Sequence, residues 1–338
     1  MPQIALAPME GVVDYPLRTL LTRLGGIDSC VTEFVRVTNL TLPRKVFTRL
    51  CPELLAIKDI SRTPSGTPVA VQLLGGNPEW IARNGRKVAQ LGAAAVDINF
   101  GCPAKTVNRH DGGACLLQTP ERVYNIIKAT RDLVPADTPV SAKIRLGYSD
   151  RKPYLEIAQA AAEAGANRLT VHARSKADGY RPPAYWDCVG HINSLLNIPV
   201  VVNGDIWSVA DYQRARAESG CTDVMIGRGL LSCPDLGLQI KASLAGQQYQ
   251  PLTWLQVAAL VREHYEVSKP LFPKKYLGNR LKQWLAHLKR HYPGAQLFFD
   301  KVKTLRTEAE IDACFHALLG PYLHEPYLPG PSTAARSD

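Results

Sequence analysis

Between residues 96 and 117 the chain reads VDINFGCPAKTVNRHDGGACLL, and Cys102 is the residue in it best placed for chemistry. A strand-like apolar opening runs out at Asn99, and the cysteine follows between Gly101 and Pro103. Gly101 permits a tight turn, while Pro103 keeps Cys102 out of helical geometry, so the thiol is projected from the mouth of a strand. Asn108 and the pair Gly112–Gly113 describe a loop that can move or admit a ligand. A thiol in that place can be a nucleophile, a metal ligand, a general acid or inert packing. Metal binding lacks companion ligands at a recognisable spacing, and a nucleophilic arrangement has no base on the loop apart from His110.

The other apolar runs also end on polar residues. They are residues 3–9, 29–34, 68–74, 95–100, 139–146, 167–173, 199–204 and 222–227. At or just past their ends stand Met9 and Glu10, Glu33, Gln72, Asn99, Lys143 and Arg145, His172 and Arg174, Asn203 and Asp205, and Gly227 and Arg228. A purely structural set of strands has no need of such a series. VVNGD after the seventh run and MIGRG after the eighth lie where parallel barrels commonly hold a phosphate, with Gly204 and Gly227 allowing close backbone approach and Arg228 able to close the site. If that phosphate belongs to FMN, Lys143 would set positive charge beside the flavin N1/O2 edge. Gln72 and Asn99 would hydrogen-bond the ring, and Pro8 with Met9 would wall it from below. The plainer reading of Lys143 is a salt bridge to Asp97 or Glu33. Beside a flavin, Cys102 fits best as a general acid, the flavin delivering hydride and the thiol the proton.

Eight apolar runs alternate with amphipathic helical stretches at 78–92, 120–133, 153–165 and 208–220, among others. This pattern predicts an α/β fold, a (β/α)8 TIM barrel, in preference to a doubly wound sheet, since no G-x-G-x-x-G follows a strand. Residues 35–67 are too long for a simple barrel connection. After about residue 245 the strand signal stops and helices are expected at 252–268, 275–291, 294–304 and 308–319. The organisation is therefore a barrel over 1–245, a small all-helical domain over 246–325, and a disordered tail over 326–338.

Bulk composition limits the setting. No run is long and apolar enough for a membrane span, no signal peptide is recognisable, and eight scattered cysteines in 338 residues suit a reducing cytoplasm. The net charge of +10 is concentrated: Lys269 to Arg306 carries ten Lys and Arg against Asp300 as its one acid. On a helical wheel of 275–291, Leu277, Leu281, Trp284, Leu285 and Leu288 share one stripe. Lys275, Lys282 and Lys289 follow one edge of it, and Tyr276, Arg280 and His287 the other. A helix of this kind packs by its leucines and offers cations to a polyanion such as a nucleic-acid backbone.

The segments LAPMEGVVDYPLR, DINFGCPAKTVNRHDGGACLL, AKIRLGY, VHARSKADGYR, VVNGDI and VMIGRG together resemble the tRNA-dihydrouridine synthases, in order and over nearly the whole chain. The resemblance implies an FMN-containing barrel that reduces the C5–C6 bond of selected tRNA uridines, with NADPH or NADH as electron donor. Cys102 would protonate C5 while FMN gives hydride to C6. Pro8, Met9, Glu10, Gln72, Lys143, His172, Asn203, Gly204, Asp205, Gly227 and Arg228 would contact FMN, and Asn99 would face the uracil. TEFVRV, CPELL, SRTPSGTPV, CPAKTVN and LKQWL are similar to the bacterial C-type members, which modify position 16 in the D-loop. Arg36, Arg145, Tyr180, Arg280, Lys282, His287 and Lys303 would then meet the tRNA, with a monomer, no metal and no membrane expected. Phe100 stands where close relatives carry Cys, a difference of packing. A small-molecule flavin barrel of the dihydroorotate-dehydrogenase kind is the competing reading, and the basic helical region argues against it.

Overall fold

The computed structural model describes residues 1–56, 59–273 and 276–320. Lys274, Lys275 and the tail expected over 326–338 lie outside the described residues. Parallel strands β1 (Ile4–Leu6), β2 (Ser29–Val31), β3 (Val35–Arg36), β4 (Val69–Leu74) and β5 (Val96–Asn99) come first. They are followed by β6 (Val140–Arg145), β7 (Arg168–His172), β8 (Val200–Asn203) and β9 (Asp223–Ile226). Neighbours run β2-β1-β9-β8-β7-β6-β5-β4, and a β2–β4 pairing closes the circle. The result is the TIM barrel expected from the alternation of runs.

β3 is the continuation of β2 past a bulge. Val31 pairs with Ala70 and Val35 with Leu73, so three residues on one strand face two on the other. Thr32 repairs the ladder there: its N–H donates to the Ala70 carbonyl at 2.9 Å, and its hydroxyl accepts the Gln72 N–H at 3.1 Å. Nothing in the run 29–34 marks this break in the sequence.

Register partners in a parallel sheet project to the same side, so the pairings assign one face to the barrel axis. It carries Ala5 on β1, Val31 on β2, Gln72 on β4, Asp97 and Asn99 on β5, and Ser141, Lys143 and Arg145 on β6. Thr170 and His172, Val201 and Asn203, and Met225 complete it. Ala5, Ala7, Val31, Val201 and Met225 form an apolar cluster, while the remaining lumen positions are largely polar. The opposite face, including Val69, Val71, Val96, Ile98, Val140, Ile144, Leu169 and Val202, is fully buried hydrocarbon.

The connecting helices begin and end where their caps dictate. Asp14, Asn77 and Ser208 each accept an N–H from the first turn of Tyr15–Leu24, Pro78–Gln90 and Val209–Ser219, and Gly220 ends the last of these in the left-handed region. The long insertion after β3 folds into a helix Arg44–Leu50 and a 3-10 turn Pro52–Leu55. It is anchored by Arg18, whose guanidinium meets both Glu53 oxygens at 2.9 Å with both side chains buried. Asn84 holds its beginning by accepting the Leu42 N–H and donating to the Leu40 carbonyl.

The chain divides into two compact units: Met1–Leu230 with Asp235–Tyr249, and Leu231–Pro234 with the segment from Gln250 onward. The second unit is helical: Trp254–Ser268, Leu277–Leu288, Pro293–Val302 and Glu308–Leu319. Thr253 with Gln256 and Thr307 with Glu310 form capping boxes on its first and last helices. The leucine stripe and Trp284 are buried as the wheel predicts, and the Trp284 indole donates to the Leu231 carbonyl.

Breaking a fully buried ion pair from one side leaves a charge without compensation. Glu53→Ala should therefore lower unfolding free energy by about 3–5 kcal/mol, measured by urea denaturation. The double replacement Arg18→Met with Glu53→Leu should recover most of that loss. Equal losses in both variants would show that the insertion is not held by this pair.

Candidate active site

Cys102 leaves β5 on a turn in which its main chain is held at every polar atom. Its N–H and that of Gly101 both donate to Asn99 Oδ1 at 2.9 Å. Its carbonyl accepts from Asn108 Nδ2 at 3.0 Å and from the Ala114 N–H at 3.1 Å. The segment expected to be a loose loop is thus a short helix, Lys105–Arg109, and a 3-10 turn, Gly113–Gln118, bonded back to the cysteine. Gly113 has φ +69, and a Cβ there would stand 3.0 Å from Cys102 Cβ, so this contact requires glycine. His110 bonds the Thr106 carbonyl of its own helix at 2.6 Å. Burial pushes the Cys102 thiol pKa up, Glu10 adds to the rise, and the Ala104 backbone and Arg145 oppose it. The group is a protonated thiol at neutral pH, suited to giving a proton.

Behind the turn, Asn99 Nδ2 donates to Gln72 Oε1 at 2.8 Å and Gln72 Nε2 to Asp97 Oδ2 at 2.7 Å. Lys143 Nζ reaches Asn203 Oδ1 at 3.1 Å, and Asn203 Nδ2 donates to the Met225 carbonyl. Its hydrogen bond therefore goes to an amide, and Asp97 acts on it only through space. Burial, with Arg145 as a like charge, lowers the Lys143 pKa to about 8.

The other half of the barrel mouth is cationic. Burial and then Arg145, Lys143, Arg174 and Arg228 hold the His172 pKa well below its ordinary value, so the ring is neutral. Asp205, with φ +52, joins Arg174 to Arg228, and the Trp207 indole donates to the same carboxylate. Arg174 Nη1 is buried without a hydrogen-bond partner. Gly204, with φ +122, lies where a Cβ would come within 3.0 Å of His172 Cδ2. A Cβ on Gly227 would touch Met9 Sδ at 3.4 Å. Pro8 is half-buried and Glu10 exposed. An unsatisfied buried guanidinium N–H is what an anionic, phosphate-bearing group would fill. Asp97, Ser141 and Arg174 were not among the expected cofactor or substrate contacts. The period-two alternation along β5, β6 and β7 was the signal that could have found them.

The residues expected to meet tRNA fall into different environments. Arg36 is exposed on β3, and the Tyr180 ring is 54% exposed while packing against His172, Arg145 and Arg228. Arg145 is 2% exposed and donates to the Gly101, Ser175 and Gly179 carbonyls, so it braces the loops. In the helical unit Arg280 lies over Phe272, Lys303 pairs with Asp300, and His287 is half-buried. Lys282 donates to the Leu305 carbonyl, and burial together with Arg306 lowers its pKa. Lys269 meets Glu266, Glu308 and Asp312, all three of which lie just outside the segment whose charge was counted. Among the described residues no group of three or more His, Cys, Asp or Glu could hold a metal. No helix among them is long and apolar enough to cross a membrane.

Fold and site define a (β/α)8 barrel that carries, past its strand ends, a protonated thiol on a braced turn and a cluster of cations around a neutral histidine. The family model described as Dihydrouridine synthase (Dus) matches residues 5–317. The tRNA-dihydrouridine(16) synthase of Pseudomonas putida is 48% identical over 301 residues, 89% of this chain and 92% of its own. Those of Aquipseudomonas alcaligenes and Neisseria meningitidis are 46% and 45% identical, covering 92% and 93% of this chain and 98% and 94% of theirs. The chain belongs to the dihydrouridine synthase family. A 2-naphthoyl-CoA reductase complex shares the fold, with TM-score 0.54 and 13% identity over 72% of this chain and 50% of that one.

A depressed histidine pKa makes folding resist a proton that the unfolded chain accepts below about 6.5. The stability this neutral ring contributes is present above that pH and lost as pH falls below it. Between about pH 7.5 and 5.5, His172→Gln should lose about 1.4 kcal/mol less unfolding free energy than the parent. Parallel losses in the two proteins would remove His172 from the buried neutral state assigned to it.

Proposed function

We propose that this enzyme reduces the C5–C6 double bond of uridine in the D-loop of tRNA, at position 16, with FMN in the barrel mouth and NADPH or NADH as electron donor. The observation that carries the reading is a protonated thiol on a rigid turn at the cationic mouth of the barrel. Relatives at 45–48% identity named for position 16 support the substrate.

The side chains fit a phosphorylated flavin. Arg228 and the unpartnered Arg174 Nη1 would take the phosphate, with the main chain of Gly204 and Gly227 alongside it. Asp205 would orient both guanidiniums and Lys143 would lie by the ring, with Gln72, His172 and Asn203 lining the pocket. Pro8, Met9 and Glu10 would border it. When bound and reduced, FMN supplies the hydride that uracil C6 accepts. Cys102 Sγ gives its proton to C5, completing the addition of two hydrogens across the double bond, and is reprotonated from solvent. Asn99 holds the turn that aims the thiol. The target base must leave the tRNA stack to reach this depth, and the exposed Tyr180 ring offers it a surface. Residues 1–245 form the catalytic barrel and residues 246–325 the tRNA-binding domain of a cytoplasmic monomer. Arg36, Arg280, His287, Lys289 and Lys303 are its contacts to the tRNA backbone, and Lys282 and Arg145 act through the loops they brace.

Nucleoside mass spectrometry on unmodified tRNA incubated with the protein, FMN and NADPH should give dihydrouridine mapped to position 16. Dihydrouridine at another position would overturn the site. None at all, from yellow protein that oxidises NADPH, would point to a small-molecule reductase. Cys102→Ala should keep flavin and tRNA affinity while turnover falls about 10²–10⁴-fold. Arg280→Ala with Lys289→Ala should leave flavin reduction intact and flatten the slope of log affinity against log salt by about 1–2.

A further inference from the structure

We infer that Asp97 is a positioning residue whose carboxylate sets the direction of the hydrogen-bond chain ending on the Cys102 turn, an inference that rests on the role proposed for that thiol. An ionised carboxylate only accepts. Ser141 Oγ gives a hydrogen bond to Asp97 Oδ1 at 2.6 Å, and Gln72 Nε2 gives one to Asp97 Oδ2 at 2.7 Å. With its amide nitrogen committed, Gln72 can present only its oxygen to Asn99, which donates to it at 2.8 Å. Asn99 is thereby turned so that Oδ1 faces the N–H groups of Gly101 and Cys102. If the chain ran the other way, the Asn99 amide nitrogen would confront two donors and the turn would lose both bonds.

Water cannot repair such a reversal. Asp97 is 3% exposed, Gln72 0% and Asn99 8%. Strand register enforces the contacts, since Gln72, Asp97 and Ser141 are direct partners across β4, β5 and β6. The carboxylate is held against its own preference: burial raises its pKa to about 6, and Gln72 and Ser141 from the flanking strands and the charge of Lys143 on β6 only partly offset this. Asparagine would fill the same space without that cost, but it can donate as well as accept, so it leaves the direction of the chain open.

Asp97→Asn tests this. The sign of its effect on stability separates positioning from plain structure. A carboxyl whose folded pKa is raised loses stability as pH climbs past its unfolded value, so its replacement should leave Tm at about pH 7.5 equal or higher. Turnover should nevertheless fall about 10²-fold, with KM for tRNA within about twofold of the parent. Peptide-resolved iodoacetamide labelling should show a several-fold change at Cys102 but not at Cys115. The double variant Gln72→Glu with Asp97→Asn places the obligate acceptor one step along the chain and should restore the parental Cys102 labelling rate. Parental labelling and turnover in Asp97→Asn would overturn the inference. So would a lowered Tm that the double variant does not recover together with Cys102 labelling. The labelling needs neither tRNA nor cofactor, so a failure to form dihydrouridine would count against the proposed function and leave this result readable.

Discussion

A polar side chain on the axis of a closed parallel barrel has little water to turn to, and it must find its partner on a neighbouring strand or at the mouth. The site is built under that constraint. On one side, Ser141, Asp97, Gln72 and Asn99 satisfy one another across adjacent strands and end on the cysteine turn. On the other, Lys143 donates to Asn203, which donates to the Met225 carbonyl. Each amide has its orientation dictated by what it meets. Geometry of this kind is inherited from the register of the sheet and does not depend on loop conformation.

Electrostatics divides the barrel mouth into two functions. Around Cys102 the desolvation of the thiol outweighs Arg145, so the proton stays on sulfur. Around His172 several cations crowd together, Asp205 balances part of their charge, and the imidazole stays neutral. A neutral thiol beside a cluster of cations is the arrangement that the proposed reaction calls for, with hydride and proton coming from different groups. In the helical unit, Lys269 and Lys303 are held by carboxylates and Lys282 by a carbonyl, so part of the charge counted along the chain serves internal structure.

Much of this was legible beforehand because parallel strands advertise themselves. All eight apolar runs are strands, and the helices at 78–92 and 120–133 begin at Pro78 and Pro120. Gly101, Cys102 and Pro103 state their turn in three residues. The insertion over 35–67 could not be read, because its anchor is Arg18, some 35 positions before Glu53. The bulge between β2 and β3 was hidden because Thr32 supplies with its side chain what a backbone carbonyl would have supplied. Arg145 was expected to meet the tRNA; its guanidinium is instead spent on the carbonyls of Gly101, Ser175 and Gly179, contacts that no local pattern in the chain announces.

The sequence by itself determined the barrel, the helical unit and the side chains available at each strand end, because alternation, caps and turn residues are local signals. Only the tertiary structure decided which of those side chains meet. That choice depends on register between strands tens of residues apart: whether Lys143 faces Asp97 or Asn203, and whether Asn99 points outward or into its own turn. Hydrogen bonding in a nearly dry lumen then leaves each amide one satisfied orientation, and no periodicity along the chain encodes it.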